Sequence, residues 1–346
     1  MQGNCIKLIR FLDGSVTFKI PVYQRNYAWK KENCKRLLDD LNWLHDADKE
    51  THFLGSIVAQ NTGYENYWII DGQQRLTTVS LLLLAMVKRL EEREEPKLAK
   101  KVLNKYLIDD FESNDNKYRL HPIKHDFEDY KKLFQSSDNY AIRSNITENF
   151  EFFYNEIDKI RDLEDLFDSI GKLEIMALTL DKNDDAQLIF ESINSTGLDL
   201  TDADKARNFL LMGESENRQK EFFECYWEPI EKKTDNNVTE LLRNYLIVKT
   251  KKIPTSNRLY FTFKEYVEKN DVDRRELFKE LLQFANHYEQ IINARTGNQN
   301  IDYILRRMHY LGYTVQYPFL IAILNEISLG ILNLSDFESS LLVGNL

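Results

Sequence analysis

Residues 69–78 read Ile-Ile-Asp-Gly-Gln-Gln-Arg-Leu-Thr-Thr (IIDGQQRLTT), and the change of character in the middle of this run decides the fold. Tyr67, Trp68, Ile69 and Ile70 are aromatic or β-branched, the composition of a strand. Gly72 then permits a tight turn. From Gln73 to about Glu94 the chain reads as one long helix, so apolar after Leu76 that it is expected to cross a core. The exposed amides of its first turn and the helix dipole suit such a junction to a phosphate or a carboxylate. Arg75 adds a planar, permanently charged donor set, and Asp71 would hold a metal ion, a ribose hydroxyl or an attacking water. The same spacing also fits a plain helix start in which Asp71 caps, Gly72 turns and Arg75 lies on the surface. A single glycine is neither a dinucleotide fingerprint nor a P-loop.

Working outward, residues 52–60 (HFLGSIVAQ) pattern as a second strand, and the turn-prone stretch with Gly63 predicts a hairpin or two neighbouring strands. Leu37, Leu38, Leu41 and Leu44 recur at helical spacing between Lys30 and Asp48. Downstream, EEREE and Pro96 end the long helix, and residues 97–161 are polar and helical with a break at 112–118 (ESNDNKY). Residues 173–180 (LEIMALTL) return to strand, residues 186–193 to helix, and residues 194–200 (NSTGLDL) form a loop. Thr201 with Asp204 is a capping-box pattern that starts the next helix. Beyond Gly213 only amphipathic helices are read, with breaks at 250–257, 270–273 and 293–300. The expected class is α+β. A mixed α/β unit at 1–95 is completed by 173–212, a helical insertion occupies 96–172, and an all-helical domain fills 213–346.

Composition supports this reading. Gly (12) and Pro (6) together make about 5% of the 346 residues, against roughly 12% on average, which favours long helices. The longest apolar run, residues 81–87, is far short of the roughly 20 residues of a membrane span, and no secretory signal is readable at the N-terminus. Cys5, Cys34 and Cys225 are isolated and odd in number, which fits a reducing compartment; the cytoplasm is the expected location. A formal net charge of −10 excludes a globally basic nucleic-acid coat, so any contact with DNA must rest on particular residues. Residues 341–346 (LLVGNL) follow an apparent helix without a polar tail, an ending that reads as that of a fragment of a longer protein, truncated before a further domain.

Two other segments carry candidate chemistry. In residues 20–29 (IPVYQRNYAW), Tyr23, Tyr27 and Trp29 are interleaved with Gln24, Arg25 and Asn26. This pattern suits a base or sugar ring and its phosphate, while physical chemistry alone favours a loop whose aromatic residues cover the edge of a core. In residues 190–212, Asn194, Ser195, Thr196 and Gly197 form a small polar loop able to approach a ligand closely. Asp204 and Asn208 follow one turn apart, with Lys205 and Arg207 as cations; an ordinary capped helix–loop–helix explains part of this. His121 and His125 are four apart, but Pro122 argues against a shared helix face and so against a metal site there. Residues 249–252 (KTKK) and the pair Arg306 and Arg307 are local basic spots that solvated faces also explain.

Together these segments resemble the N-terminal, GmrS-like part of the GmrSD modification-dependent (type IV) restriction endonucleases. The residues that carry the resemblance are Pro21-Val22-Tyr23-Gln24-Arg25 with Tyr27 and Trp29, Phe53-Leu54-Gly55-Ser56, and Asp71-Gly72-Gln73-Gln74-Arg75-Leu76-Thr77-Thr78. Phe190, Asn194, Gly197, Leu200 and Lys205 match the family's downstream motif, and the resemblance extends from Ile20 to about Leu324. It implies a ParB/sulfiredoxin-like first unit followed by a helical region. It also implies binding and hydrolysis of a nucleoside triphosphate (GTP, ATP or UTP) with Mg²⁺, in support of restriction of modified phage DNA. Carried over, Asp71 is the metal or water-orienting carboxylate, Gln73 and Gln74 are hydrogen-bond donors, and Arg75 with Arg25 neutralises phosphate. Tyr23, Gln24, Arg25, Gly72, Thr77, Asn194, Thr196, Gly197, Lys205 and Asn208 would bind the nucleotide. The implied partners are DNA, a nuclease domain or partner chain, and a second copy in a homodimer, with no membrane. None of the six histidines stands at the spacing of a His-Asn-His nuclease, so cutting is expected elsewhere. A non-catalytic module that senses nucleotide or DNA, and a scaffold with a relic pocket, are the competing readings.

Overall fold

The computed structural model describes residues 1–63, 65–135, 143–181, 184–193 and 200–333. It separates into two units, Met1–Ser195 and Thr196–Leu346. The first holds a six-stranded mixed sheet: β1 (Gln2–Lys7), β2 (Thr17–Lys19), β3 (His52–Gly63), β4 (Asn66–Asp71), β5 (Leu120–His121) and β6 (Leu173–Leu180), in the order β1-β6-β3-β4-β2-β5. The outer β1/β6 pair and the β3/β4 hairpin are antiparallel, while β3/β6, β2/β4 and β2/β5 are parallel. Its helices are α1 (Leu8–Phe11), α2 (Lys31–Asp46), α3 (Gln73–Glu92), α4 (Pro96–Val102), α5 (Lys124–Lys132), α6 (Asn145–Ile157), α7 (Leu163–Gly171) and α8 (Ala186–Ile193).

The helix α3 fills the middle of this unit. Leu76, Val79, every residue from Leu81 to Val87, and Leu90 are buried, because α3 packs on α4 and α6 within a core that also takes Ile57, Ala59 and Ile69 from the sheet. A helix apolar on all sides is stable only when neighbours cover every side. The predicted strands at β3, β4 and β6 and the predicted helices α2, α3 and α8 are all present. Three strands were not foreseen. β1 (QGNCIK) is a largely exposed edge without apolar alternation, held by backbone pairing with β6 and by an ion pair of Lys7 with Glu174 at 3.1 Å. β2 and β5 are only three and two residues long, and they pair through Phe18 N to Arg119 O (2.7 Å) and Ile20 N to His121 O (2.9 Å). His121 therefore lies in a strand and His125 in α5, so the two share no helix face, as Pro122 led one to expect.

The second unit contains α9 (Asp202–Leu211), α10 (Glu216–Phe222), α11 (Glu228–Lys233), α12 (Val238–Thr250), α13 (Leu259–Lys269), α14 (Arg274–Ile292), α15 (Gln299–Tyr310) and α16 (Tyr317–Ser328). Helices α12, α14 and α16 pack on one another around aromatic side chains that include Tyr245 and Phe284. The reciprocal Thr201–Asp204 capping box starts α9 as its sequence requires. The sequence pattern placed α9 with the first unit. In the structure it packs on α12 and α13 of the second, tied through Arg207, which bridges Asp204 and Glu231 at 2.7 Å each. Among the described residues no helix is long and apolar enough to cross a membrane.

Leu83 is fully buried and Leu188 is 63% exposed. Leu83→Ala is expected to lower stability by about 2–5 kcal/mol, whereas Leu188→Ala should stay within about 0.5 kcal/mol. Urea unfolding of both variants checks this, and equal losses would contradict the placement of α3 in the core.

Candidate functional site at the turn from β4 to α3

Strand β4 ends at Asp71, which pairs across to Val58 of β3. Gly72 then adopts φ 89°, ψ 7°, a left-handed conformation that glycine enters without the cost a Cβ would add. It also brings no capping side chain, so the first amides of α3 face the turn with only the helix dipole behind them. A Cβ on Gly72 would lie 2.9 Å from both the Ser56 carbonyl oxygen and Ile57 Cγ1. A Cβ on Gly55, where φ is 129°, would lie 2.6 Å from Nε of Arg75. The guanidinium therefore lies against bare backbone at Gly55, and its Nη1 donates to Ser56 O at 3.1 Å. The Phe53-Leu54-Gly55-Ser56 and Asp71-to-Arg75 motifs, separate in sequence, are two sides of one contact.

Arg75 Nη1 is 4.0 Å from Asp71 Oδ2, the outer limit of an ion pair. Burial raises the Asp71 carboxyl above the usual carboxylate range; the charge of Arg75, the Gly72 N–H and the charge of Arg25 oppose it. Arg25 thus reaches Asp71 electrostatically from a distant part of the chain. Gln24 fixes the segment between them, its Nε2 donating to Ile70 O (2.9 Å) and its Oε1 accepting from Gln73 Nε2 (3.2 Å). Gln74 turns the other way. Its Oε1 accepts from Ala28 N (2.8 Å) and Trp29 N (3.1 Å), and its Nε2 donates to Asn26 O (3.3 Å).

Tyr23 and Tyr27 of this loop are both buried. Tyr23 is 1% exposed, and burial raises its hydroxyl pKa strongly, so its ring packs inside and does not form an open stacking platform. Thr77 is likewise buried on α3. Tyr27 is the centre of a directed chain: Asn149 Nδ2 donates to its hydroxyl (3.0 Å), and Thr78 Oγ1 donates to Gln74 O (2.8 Å). The 2.6 Å bond between Tyr27 and Thr78 must then run from the tyrosine proton to Thr78 Oγ1.

Asn194, Thr196 and Gly197 lie outside the described residues. Lys205 and Asn208 belong to α9 of the second unit, where Lys205 is half-buried and Asn208 is buried with no hydrogen-bond partner for its Oδ1. Among the described residues no group of three or more His, Cys, Asp or Glu could hold a metal ion. Mg²⁺, which keeps several waters and takes one or two carboxylates together with substrate phosphates, still fits a lone Asp71.

Residues of the Phe53-to-Ser56 motif and three residues the sequence did not single out, Asp126, Asn145 and Asn149, complete the surroundings. Gly55 and Ser56 shape the floor under Arg75. Asp126, Asn145 and Asn149 reach the 26–29 loop from α5 and α6. A signal for two of them was present: Asn149 interrupts the buried stripe Ile146, Phe150, Phe153 and Ile157, and Asp126 shares a buried face with Tyr130. A polar residue on an apolar helix stripe is buried with something to bond.

Two stability predictions follow from this geometry. Left-handed φ costs an alanine roughly 1–2 kcal/mol at either glycine, but the obstacle at Gly55 is a flexible side chain and the obstacle at Gly72 includes backbone. Gly72→Ala should lower the denaturation midpoint more than Gly55→Ala; the reverse order would contradict the contact described. The second prediction concerns Asp126, whose Oδ2 accepts from Tyr27 N at 2.6 Å. Burial pushes its carboxyl up to about 6, Asp129 adds to the rise, and the Tyr27 N–H and His125 oppose it. An open-chain aspartate titrates near pH 3.9, so the folded state holds this proton more tightly. The stability contributed is complete below about pH 4 and lost as pH rises through 6. Asp126→Asn removes that loss. Its stability relative to the unaltered protein should rise between pH 4 and 7 by on the order of 1–3 kcal/mol, read from urea unfolding, and a pH-independent difference would refute it.

Comparison with known proteins agrees with the motifs. Residues 8–211 match the model of the GmrSD restriction endonuclease N-terminal domain. The chain is also 21% identical over 229 residues to an uncharacterized protein of Methanocaldococcus jannaschii, a match covering 54% of this chain and 37% of that protein's length. The chain thus spans well under two thirds of that relative. Since the matched segment covers more than half of the chain and contains β3, β4, the turn at Gly72 and α3, the protein belongs to the GmrSD restriction endonuclease N-terminal domain family.

Proposed function

We propose that this chain binds and hydrolyses a nucleoside triphosphate at the turn from β4 to α3, as a component of a modification-dependent DNA restriction system in which hydrolysis gates a nuclease located elsewhere in the same or a partner chain. The observation that carries this reading is the seating of a guanidinium beside a carboxylate at an uncapped helix start, with Arg75 between Ser56 and Asp71 and Arg25 following Gln24, whose Nε2 donates to Ile70 O. Phosphoryl transfer needs little covalent help from a protein; positioning and neutralisation of charge supply most of the rate. The first amides of α3 and the guanidinium of Arg75 would bind phosphate oxygens. Ser56 takes one of the five guanidinium N–H groups, so the rest of that fork has donors for an anion. Asp71 would orient the attacking water and accept its proton, a role helped by a carboxyl raised through burial. Bound Mg²⁺ would supply further charge neutralisation beside Asp71. Gln24 and Gln74 act through the loop they hold.

Asp71→Ala should reduce release of phosphate from GTP, ATP or UTP with Mg²⁺ by at least about 100-fold, while circular dichroism and the melting temperature show an intact fold. Unchanged turnover in a folded variant would sink the reading. One observation favours a sensing module without turnover: the amides of Gln24, Gln73 and Gln74 are engaged with protein, which leaves the orientation of an attacking water to Asp71. That alternative predicts a nucleotide-dependent rise in melting temperature with no phosphate released.

A further inference from the structure

The loop at 26–29 has no regular secondary structure, yet its backbone is almost fully hydrogen-bonded by side chains. Gln74 takes Asn26 O, Ala28 N and Trp29 N. Asp126 Oδ2 takes Tyr27 N at 2.6 Å, Asn145 Nδ2 donates to Tyr27 O at 3.0 Å, and Asn149 Nδ2 donates to Trp29 O at 2.7 Å. Six backbone groups in four residues are thus held by four side chains. One of these sits on α3 itself and the other three on α5 and α6.

The identities of these side chains are informative. Asn149 lies 1% exposed on the apolar stripe of α6, and its Oδ1 has no hydrogen-bond partner. An apolar residue would complete that stripe without a stranded acceptor; Asn149 instead brings two bonds to the loop, to Trp29 O and to the Tyr27 hydroxyl. Asp126, also buried, places a carboxylate among Tyr130 and its neighbours on α5, a position that desolvation penalises unless a donor meets it. The donor it meets is the Tyr27 amide. Arg25 stands immediately before this clamped segment and directly after Gln24, which donates to Ile70 O at 2.9 Å and accepts from Gln73 Nε2 at 3.2 Å, so the arginine is tethered on both sides to the turn that carries Asp71.

We infer that Asp126, Asn145 and Asn149 are positioning residues of the Arg25–Asp71 site, so that the helices α5 and α6 form a clamp that holds the arginine loop against the start of α3. Its functional consequence rests on the nucleotide reading above; the clamp itself does not. Releasing the loop lets Arg25 drift, and because the cation is needed for the phosphate charge, the loss falls on nucleotide affinity more than on turnover.

The test combines two measurements on the full chain. Amide hydrogen exchange is followed at Tyr27, Ala28 and Trp29, with Leu82 to Leu84 of α3 as an internal reference for the fold. Nucleotide affinity is read from the melting-temperature shift with GTP, ATP and UTP in Mg²⁺, and KM and kcat from phosphate release. Asn149→Ala and Asp126→Ala are expected to speed exchange at 27–29 at least tenfold with α3 protection unchanged. They should weaken nucleotide binding by a similar factor and raise KM more than they lower kcat. Asp126→Asn, whose amide oxygen still accepts from Tyr27, should restore both the loop and the affinity. If Asn149→Ala loosens α3 as well, Asn145→Ala, at a half-buried position, replaces it. Loop protection that survives these alanine substitutions overturns the clamp, as does a released loop with unchanged affinity in a protein that binds nucleotide. A starting protein that binds none of the three nucleotides overturns the functional reading, and loop exchange then decides the clamp alone.

Discussion

The closeness of α3 to β3 governs this molecule. Two glycines make that approach possible: Gly55, over which Arg75 lies, and Gly72, whose missing side chain admits the Ser56 carbonyl. A Cβ at either place would meet atoms inside 3 Å, in a backbone conformation that other residues adopt only with strain. The contact does three things at once. It turns the chain from strand to helix, brings the start of a long buried helix against β3 in the middle of the sheet, and sets a guanidinium beside the carboxylate that ends β4. Because α3 is buried along most of its length, its position is fixed by the whole core, and the turn inherits that rigidity.

Rigidity on the other side of the site is achieved differently. The arginine loop makes no ladder with the sheet; side-chain amides and one carboxylate take the place of backbone partners. Such bonds reach across large sequence separations, from Tyr27 to Asp126 and Asn149, and they join the helical insertion to the strand–helix junction. The helical insertion is therefore part of the scaffold around Asp71. Buried polar networks of this kind are costly when incomplete, and Asn149 shows the cost in its unpartnered Oδ1.

Much of the fold was legible from local pattern. β3, β4 and β6 are apolar or β-branched runs, α2 and α3 follow helical spacing, and Thr201 with Asp204 marks the start of α9. β1, β2 and β5 were not legible, since each is a strand only because a neighbour offers its backbone: β6 to β1, β4 and β5 to β2. The same distinction holds in the site. Asp71, Gly72 and Arg75 stand within one turn of each other, and their grouping is a local fact. Tyr23 was read as ligand-facing because its type allows it and Gln74 because the resemblance implies it, whereas the structure buries the first and commits the second to the loop.

Periodicity and short spacing, then, are sufficient to set the α+β class and the strand-to-helix junction, because each depends on the preferences of adjacent residues. The pairing of Gly55 with Arg75, the reach of Arg25 to Asp71 and the clamp from Asp126 and Asn149 required the folded chain. These contacts join residues far apart in order, and which side chain meets which is settled by how the core packs α3 between the sheet and α6, a global outcome that no window of sequence contains.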